Sequence, residues 1–427
     1  MAETIPRATP TSLKKLASSR WTRLMMVASV IGPGIITANV DNDAGGITTY
    51  SLAGARYGYG LVWTLLPITV ALVVVQEMCA RMGAVTGKGL ADLIRENFGV
   101  RLTFYAMVLL LLADLGNTVA EFAGVAASLE IFGVSRYVSV PLAAAFVWWL
   151  VVYGSYRRVE KVFLAACLFY LAYVASGVLA QPGWAGVLRE SMAPRTRVDA
   201  AYVTMLVGLV GTTIAPWMQF YQQAAIVEKG VRAEDYPYSR LDVVSGCIFT
   251  DVVAFFIIVA CAATLHAGGV AIETAADAAQ ALRPLAGAYC AALFAFGLFN
   301  ASLFSASVLP LATAYSVCEA LGWETGVNKR MREAPHFYGL YTGLIALGAA
   351  IVLVPGIPLI PVMYLSQVAN GVLLPVVLVF MLLLINRRDL MGQYTNGTAT
   401  NAAAWVTVIV TSGLSLYLAA AVFFGTT

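Results

Sequence analysis

The chain has 427 residues, 60% of them hydrophobic and 11% charged, which is too apolar for a water-soluble protein and long enough for many membrane spans. Its net charge is only +3, and the basic residues sit between apolar segments rather than in one patch, so nucleic acid is not expected as a partner. Six cysteines (Cys79, Cys167, Cys247, Cys261, Cys290, Cys318) lie in or beside apolar segments without CxxC spacing; neither a disulfide framework nor a zinc site is indicated.

Residues 1–23 read as a polar, basic tail. The apolar run that follows has no small-residue cleavage site, so an uncleaved first helix is expected, with no soluble domain attached. Apolar segments of spanning length fall near 24–50, 60–82, 102–130, 137–155, 159–180, 200–228, 241–266, 284–318, 336–354, 359–386 and 402–425, eleven in all. With the amino terminus in the cytoplasm, only Arg56, Arg136, Arg189, Arg195, Arg197 and Arg283 of the 26 Lys and Arg residues fall outside. That asymmetry follows the positive-inside rule and places the carboxyl terminus outside the cell. The expectation is a multi-pass protein of the cell membrane, embedded in the lipid bilayer and acting as a monomer.

Two segments are interrupted by helix-breaking chemistry. The first carries ANVDNDAGG (Ala38 to Gly46), with two aspartates, an asparagine and two glycines, and each Asp costs about 2.5 to 3.5 kcal/mol at the centre of an inserted helix. The sixth carries GTTIAPWMQFYQQ, where Gly211 and Pro216 bracket a polar stretch. The breaks are five helices apart, the pattern of a five-plus-five inverted repeat with a substrate site where unwound backbone meets near the midplane. Repeat one would span about 24–180, repeat two about 200–386, and residues 402–425 would add an eleventh helix. Unwound backbone at that depth is tolerable where it lines a cavity, and there its carbonyls and carboxylates can ligate a cation.

The run GPGIITANVDNDAGGITTYSLAGARYGYGLVW resembles the first helix of the NRAMP metal-ion transporters, whose pattern is GPG, eight residues, then Asp-Pro-Gly-Asn. QEMCARMGAVTGKGLADL, LADLGNTVAEFAG, TTIAPWMQFYQQA, and LSQVANGVLLP with NRRDLMG extend the resemblance over nearly the whole chain. It implies an all-α membrane protein of the LeuT-like fold and transport of divalent cations as substrates, with no cofactor and no enzymatic activity.

The departures bear on substrate. Asp43 stands at the family's ligand aspartate, but Ala44 replaces its proline and Gly46 its ligand asparagine. The family's Met-Pro-His reads Ala215-Pro216-Trp217, and a second histidine, five residues on, reads Gln222. Glu121 matches a glutamate of helix three, whereas Thr118 stands where an aspartate is expected. A thioether selects soft or borderline metals, and Ala215 offers only a carbonyl. Small residues at 46 and 215 are expected to enlarge the site, which suits magnesium, an ion that keeps several of its waters. These changes resemble the NRAMP-related magnesium transporters, a prokaryotic branch. The only histidines, His266 and His336, lie outside the broken helices, which argues against obligatory proton coupling.

The expected ligand set is Asp43 and Glu121 for charge, backbone near Val40, Thr212 and Ala215 for carbonyls, Gly46 for room, and Gln367 closing over the ion. Asp41 and Asn42 would cap the break or line the cavity, since Asp41 and Asp43 point about 200° apart on a regular helix. Asp114 would line a vestibule, or simply hydrogen bond to a neighbouring helix. Asp251 would line the pathway; Asn370 would line it too, or bind helices together, and Trp217 would fill its histidine's space. Glu77 and Arg81 are spaced for a salt bridge. The reading is a secondary transporter importing Mg2+, and Mn2+ too, partly hydrated. The alternatives are a proton-coupled transition-metal transporter, a sodium-coupled organic-solute symporter on the same fold, or a channel.

Overall fold

In lipid a backbone must satisfy its own polar groups, so long apolar runs become helices. The computed structural model describes residues 40–153, 167–192, 199–327 and 329–423, and every regular element among them is helical. Among the described residues nine helical stretches are long and apolar enough to span, and they coincide with nine of the eleven expected segments. The other two, the first and the fifth, are described only in their second halves, α1 (Ala44–Tyr57) and α6 (Leu171–Leu179) with the turn before it.

The remaining long helices are α2 (Leu65–Thr86), α4 (Val100–Glu130), α5 (Arg136–Tyr153), α8 (Ala200–Thr213), α9 (Pro216–Glu228), α10 (Tyr236–Cys261), α11 (Cys290–Leu321), α12 (Pro335–Val352), α13 (Leu359–Ile385) and α14 (Thr398–Phe423). Among the shorter helices of the described residues, two of nine residues were not anticipated. The amphipathic α3 (Leu90–Phe98) buries Leu90, Ala91, Leu93 and Ile94 and leaves Glu96 in solvent; α7 (Trp184–Met192) is bent 113° from α6. The end of α2 depends on local chemistry. Gly87 ends α2 in the left-handed conformation at φ 65°, which a side chain would strain. There Glu77 and Arg81 pair at 3.2 Å as expected, and Arg81 also donates to the carbonyls of Tyr394 and Thr395, tying α2 to the chain before α14.

α4 is the spine. It packs against α11 and α13, while α1 and α2 pack on α10. α8 crosses α13 at backbone contact, because a Cβ at Gly211 would collide with the Gln367 carbonyl and the Gly371 nitrogen, and one at Gly371 with Val207. Small residues at such crossings let helices approach where lipid offers no hydrophobic drive. Gly211→Val should therefore cost about 1 to 3 kcal/mol of stability from overpacking, read as a lower melting temperature in detergent. Gly413→Val, whose Cβ would meet open space on α14, should melt as the unaltered protein does, and equal melting of both variants would disprove the close crossing. α14 lies at the periphery, with Val406, Ile409, Val410 and Leu416 exposed.

The five described thiols, Cys79, Cys247, Cys261, Cys290 and Cys318, are unpaired, and all but Cys290 are buried. The side chain of Cys167 falls outside the described residues.

Candidate metal-ion site

Both expected breaks are present. Val40 and Asp41 end one helical stretch, Asn42 and Asp43 leave it, and α1 starts at Ala44. Asp43 is the N-cap: its backbone is extended and its Oδ1 accepts from the Gly46 N–H at 2.6 Å. Asp41 was expected to cap the break or line the cavity; the cap of α1 is Asp43, because only the residue before the first turn can reach an orphan N–H three positions on. The second break lies at Ile214 and Ala215, with extended Ala215 as N-cap and Pro216 at the first position of α9, where a missing N–H costs nothing. The breaks face each other. The Tyr50 hydroxyl meets Thr213 Oγ1 at 2.7 Å, and Thr212 Oγ1 lies beside Gly46.

Glu121 reaches the same place from α4. Its Oε2 accepts from the Ala44 N–H at 3.4 Å, its carboxyl is within hydrogen-bonding reach of Asp43, and its Oε1 has no partner. Both acids are buried, at 4% and 0% exposure. Two carboxylates held together away from water repel strongly unless a cation or a proton lies between them. Around them stand the Thr212 hydroxyl, also without a partner, and the Gln367 amide, whose Nε2 presses on Gly45 so closely that a Cβ there has no room.

Other expected residues are arranged differently. Gly46 does not open space: a Cβ there would fall 2.6 Å from the Asp41 carbonyl and 3.3 Å from Thr212 Oγ1, so Gly46 permits a close backbone turn instead. The Ala215 carbonyl accepts from the Met218 N–H at 3.1 Å and, with the Gln219 amide turned to satisfy both its atoms, from Gln219 at 2.7 Å; the Val40 carbonyl accepts from Ser305 Oγ at 3.5 Å. Asp114 makes the hydrogen bond to a neighbouring helix that was one of its two expected roles. Its carboxylate accepts from Thr313 at 2.7 Å and Asn117 at 3.2 Å, Asn117 exchanges two bonds with Asn370, and Asn370 donates to Gln367 at 3.0 Å. That chain runs from α11 through α4 to α13 and holds the Gln367 amide in position. Trp217 is buried and tilted against Tyr221 at 6.1 Å. His266 binds the Ala55 carbonyl and His336 stacks on Trp323, so neither belongs to the breaks.

Sequence reasoning passed over four participants. Tyr170 donates to the orphan Asn42 carbonyl at 2.7 Å, Thr250 bonds both Asn42 and Asp41, and Thr313 anchors Asp114. Met363 accepts from Thr48 at 3.6 Å, one turn from Gln367 on α13. Only the last had a signal, its i, i+4 spacing from Gln367; the others are single polar residues in apolar helices, whose partners the sequence does not name.

Two facing helix breaks around buried carboxylates in an all-helical membrane bundle define a transporter of the LeuT-like fold. Solved structures show the same architecture. A manganese transporter of Eremococcus coleocola, in complex with an aromatic bis-isothiourea compound, superposes with a TM-score of 0.78 at 21% identity over 93% of this chain and 87% of that one. MHP1, a nucleobase-cation-symport-1 family transporter, superposes at 0.58 with 16% identity over 92% of each chain. The family model "Natural resistance-associated macrophage protein-like" matches residues 34–421, and the chain belongs to this NRAMP family. It is similar to proteins named divalent metal cation transporter MntH from Deinococcus radiodurans (28% identical, 91% of this chain, 88% of that one) and Ralstonia nicotianae (29%, 93% and 91%). The chain is thus a transporter and no enzyme, with metal ions as cargo rather than cofactor.

Proposed function

We propose that the chain imports divalent cations, Mg2+ first and Mn2+ also, as partly hydrated ions and without obligatory proton coupling. The observation that carries this is the donor set. Asp43 and Glu121 supply negative charge, Thr212 and Gln367 supply oxygen, and the carbonyls of Val40 and Ala215 lie at the two breaks. Oxygen donors with one or two carboxylates suit Mg2+, which keeps water on its remaining positions. No thioether or imidazole side chain stands at 215 or 217, where the resemblance places them. The ion would enter from the outside, the amino terminus would face the cytoplasm, and one chain would suffice, because every donor comes from the same bundle.

A second reading has its own support. Met363 brings one sulfur to within a turn of Gln367, and the relatives' names concern manganese and divalent metals in general, so proton-coupled Mn2+ transport is the rival.

Purified protein in liposomes, with Mg2+ and Mn2+ outside and metal and pH reporters inside, separates them. Saturable Mg2+ uptake driven by membrane potential, with no acidification of the lumen, is the expected result. Mn2+ uptake with stoichiometric acidification and no Mg2+ entry would overturn the reading.

A further inference from the structure

The other face of the first break carries a second set of oxygens. Asn42 donates from Nδ2 to Thr250 Oγ1 at 2.6 Å, and Thr250 passes its own hydrogen to Asp41 Oδ2 at 3.3 Å. That uses the Thr250 hydrogen and one of the two hydrogens on Asn42 Nδ2. Asp41 Oδ1 and Asn42 Oδ1 then remain buried without a partner, and the Asp251 carboxylate has within reach only the Thr69 hydroxyl, whose hydrogen goes to the Leu65 carbonyl at 2.7 Å. Asp41 is 2% exposed, Asn42 0% and Asp251 5%. Asp251 follows Thr250 on α10 and acts electrostatically on Asp41, and the charged groups acting on Asp41 are all acids, Asp251 and Asp43.

Buried acceptors are ordinarily met by donors, and buried carboxylates by cations. The Asn42 oxygen sharpens the case. An amide can turn to offer its nitrogen, yet here the bond from Nδ2 to Thr250 fixes the amide and leaves Oδ1 as a buried neutral acceptor. Among the described residues no three His, Cys, Asp or Glu side chains converge in metal-binding geometry; a site here is a pair of carboxylates completed by neutral oxygens and water.

The geometry points to a second divalent-cation subsite between α10 and the first break, formed by Asp41 and Asp251 with Asn42 and Thr250, distinct from the Asp43 and Glu121 site. Its net charge of −2 matches a divalent ion better than Na+, and its all-oxygen donors match a hard one that retains water. Asp41 and Asp43 lie two residues apart at the unwound turn, so a rearrangement of that turn can carry one ion between the subsites. The subsite rests on the transport reading only for the class of ion.

Binding of Mn2+ to the full chain in detergent, read by loss of the free-ion electron paramagnetic resonance signal, tests it without transport. Asp43→Asn/Glu121→Gln removes the first site, and this variant should still bind one Mn2+, displaced by excess Mg2+. Adding Asp251→Asn should abolish that binding up to millimolar Mn2+. Asp41→Asn, which can still accept from Thr250, should do the same and serves if the Asp251 variant is not monodisperse. Absence of Mn2+ binding in the folded Asp43→Asn/Glu121→Gln protein, or binding that survives both further substitutions, overturns the subsite. Either result leaves Mg2+ uptake by the unaltered chain to stand or fall separately.

Discussion

Asp43→Ala should bind Mg2+ and Mn2+ at least a hundredfold more weakly and lose nearly all uptake. Removing one partner from a buried charged cluster costs about 3 to 5 kcal/mol, which is two to four orders of magnitude in affinity. Asp43 also caps α1 through the Gly46 N–H at 2.6 Å, and losing a cap costs about 1 kcal/mol of stability. A dead Asp43→Ala variant is therefore ambiguous. Asp43→Asn separates the two roles, since asparagine caps as well as aspartate and carries no charge. It should melt like the unaltered protein and still fail to transport. Near-normal Mg2+ uptake by a folded Asp43→Asn variant, measured in liposomes with a fluorescent reporter, would remove Asp43 from the ion site.

Much of this architecture could be read from the chain because its physics is local. A glycine pair beside two aspartates, or Pro216 after Ala215, breaks a helix whatever surrounds it, and both breaks fall where those residues stand. Positions of shared helical face were equally legible: Asp114, Thr118 and Glu121 follow i, i+4, i+7, and all three are fully buried on α4. Partners were not legible. Asp114 and Glu121 have the same spacing signal, yet one is saturated by Thr313 and Asn117 while the other meets Asp43, and only the packing of α4 against α11 and α1 decides which. The same limit explains Gly46. A missing side chain reads as space in a sequence, whereas here the chain has folded back so that the Asp41 carbonyl occupies it. Tyr170 and Thr250 come from helices far along the chain, and single polar residues among apolar ones carry no mark of where they point.

That occupied space decides how selectivity is best tested. Restoring ligands at both positions would be the natural experiment, but Gly46→Asn puts a Cβ 2.6 Å from a backbone oxygen, and the unwound turn would have to move. Ala215→Met is the cleaner change, because Ala215 is an extended N-cap with its side chain at the second break. A thioether there adds one soft donor to an otherwise oxygen site. Cd2+ and Mn2+ gain from sulfur, while Mg2+ gains little and must surrender a water to make room. The ratio of Cd2+ to Mg2+ affinity should rise at least tenfold, about 1.4 kcal/mol, as measured by calorimetry on protein whose melting temperature shows it folded. Overpacking by the longer side chain would lower both affinities together, so the ratio, and not either value alone, carries the test. If the ratio stays fixed in a folded variant, position 215 does not set selectivity. Met363 then becomes the next residue to change, since its sulfur, now accepting from Thr48, lies one helical turn from Gln367.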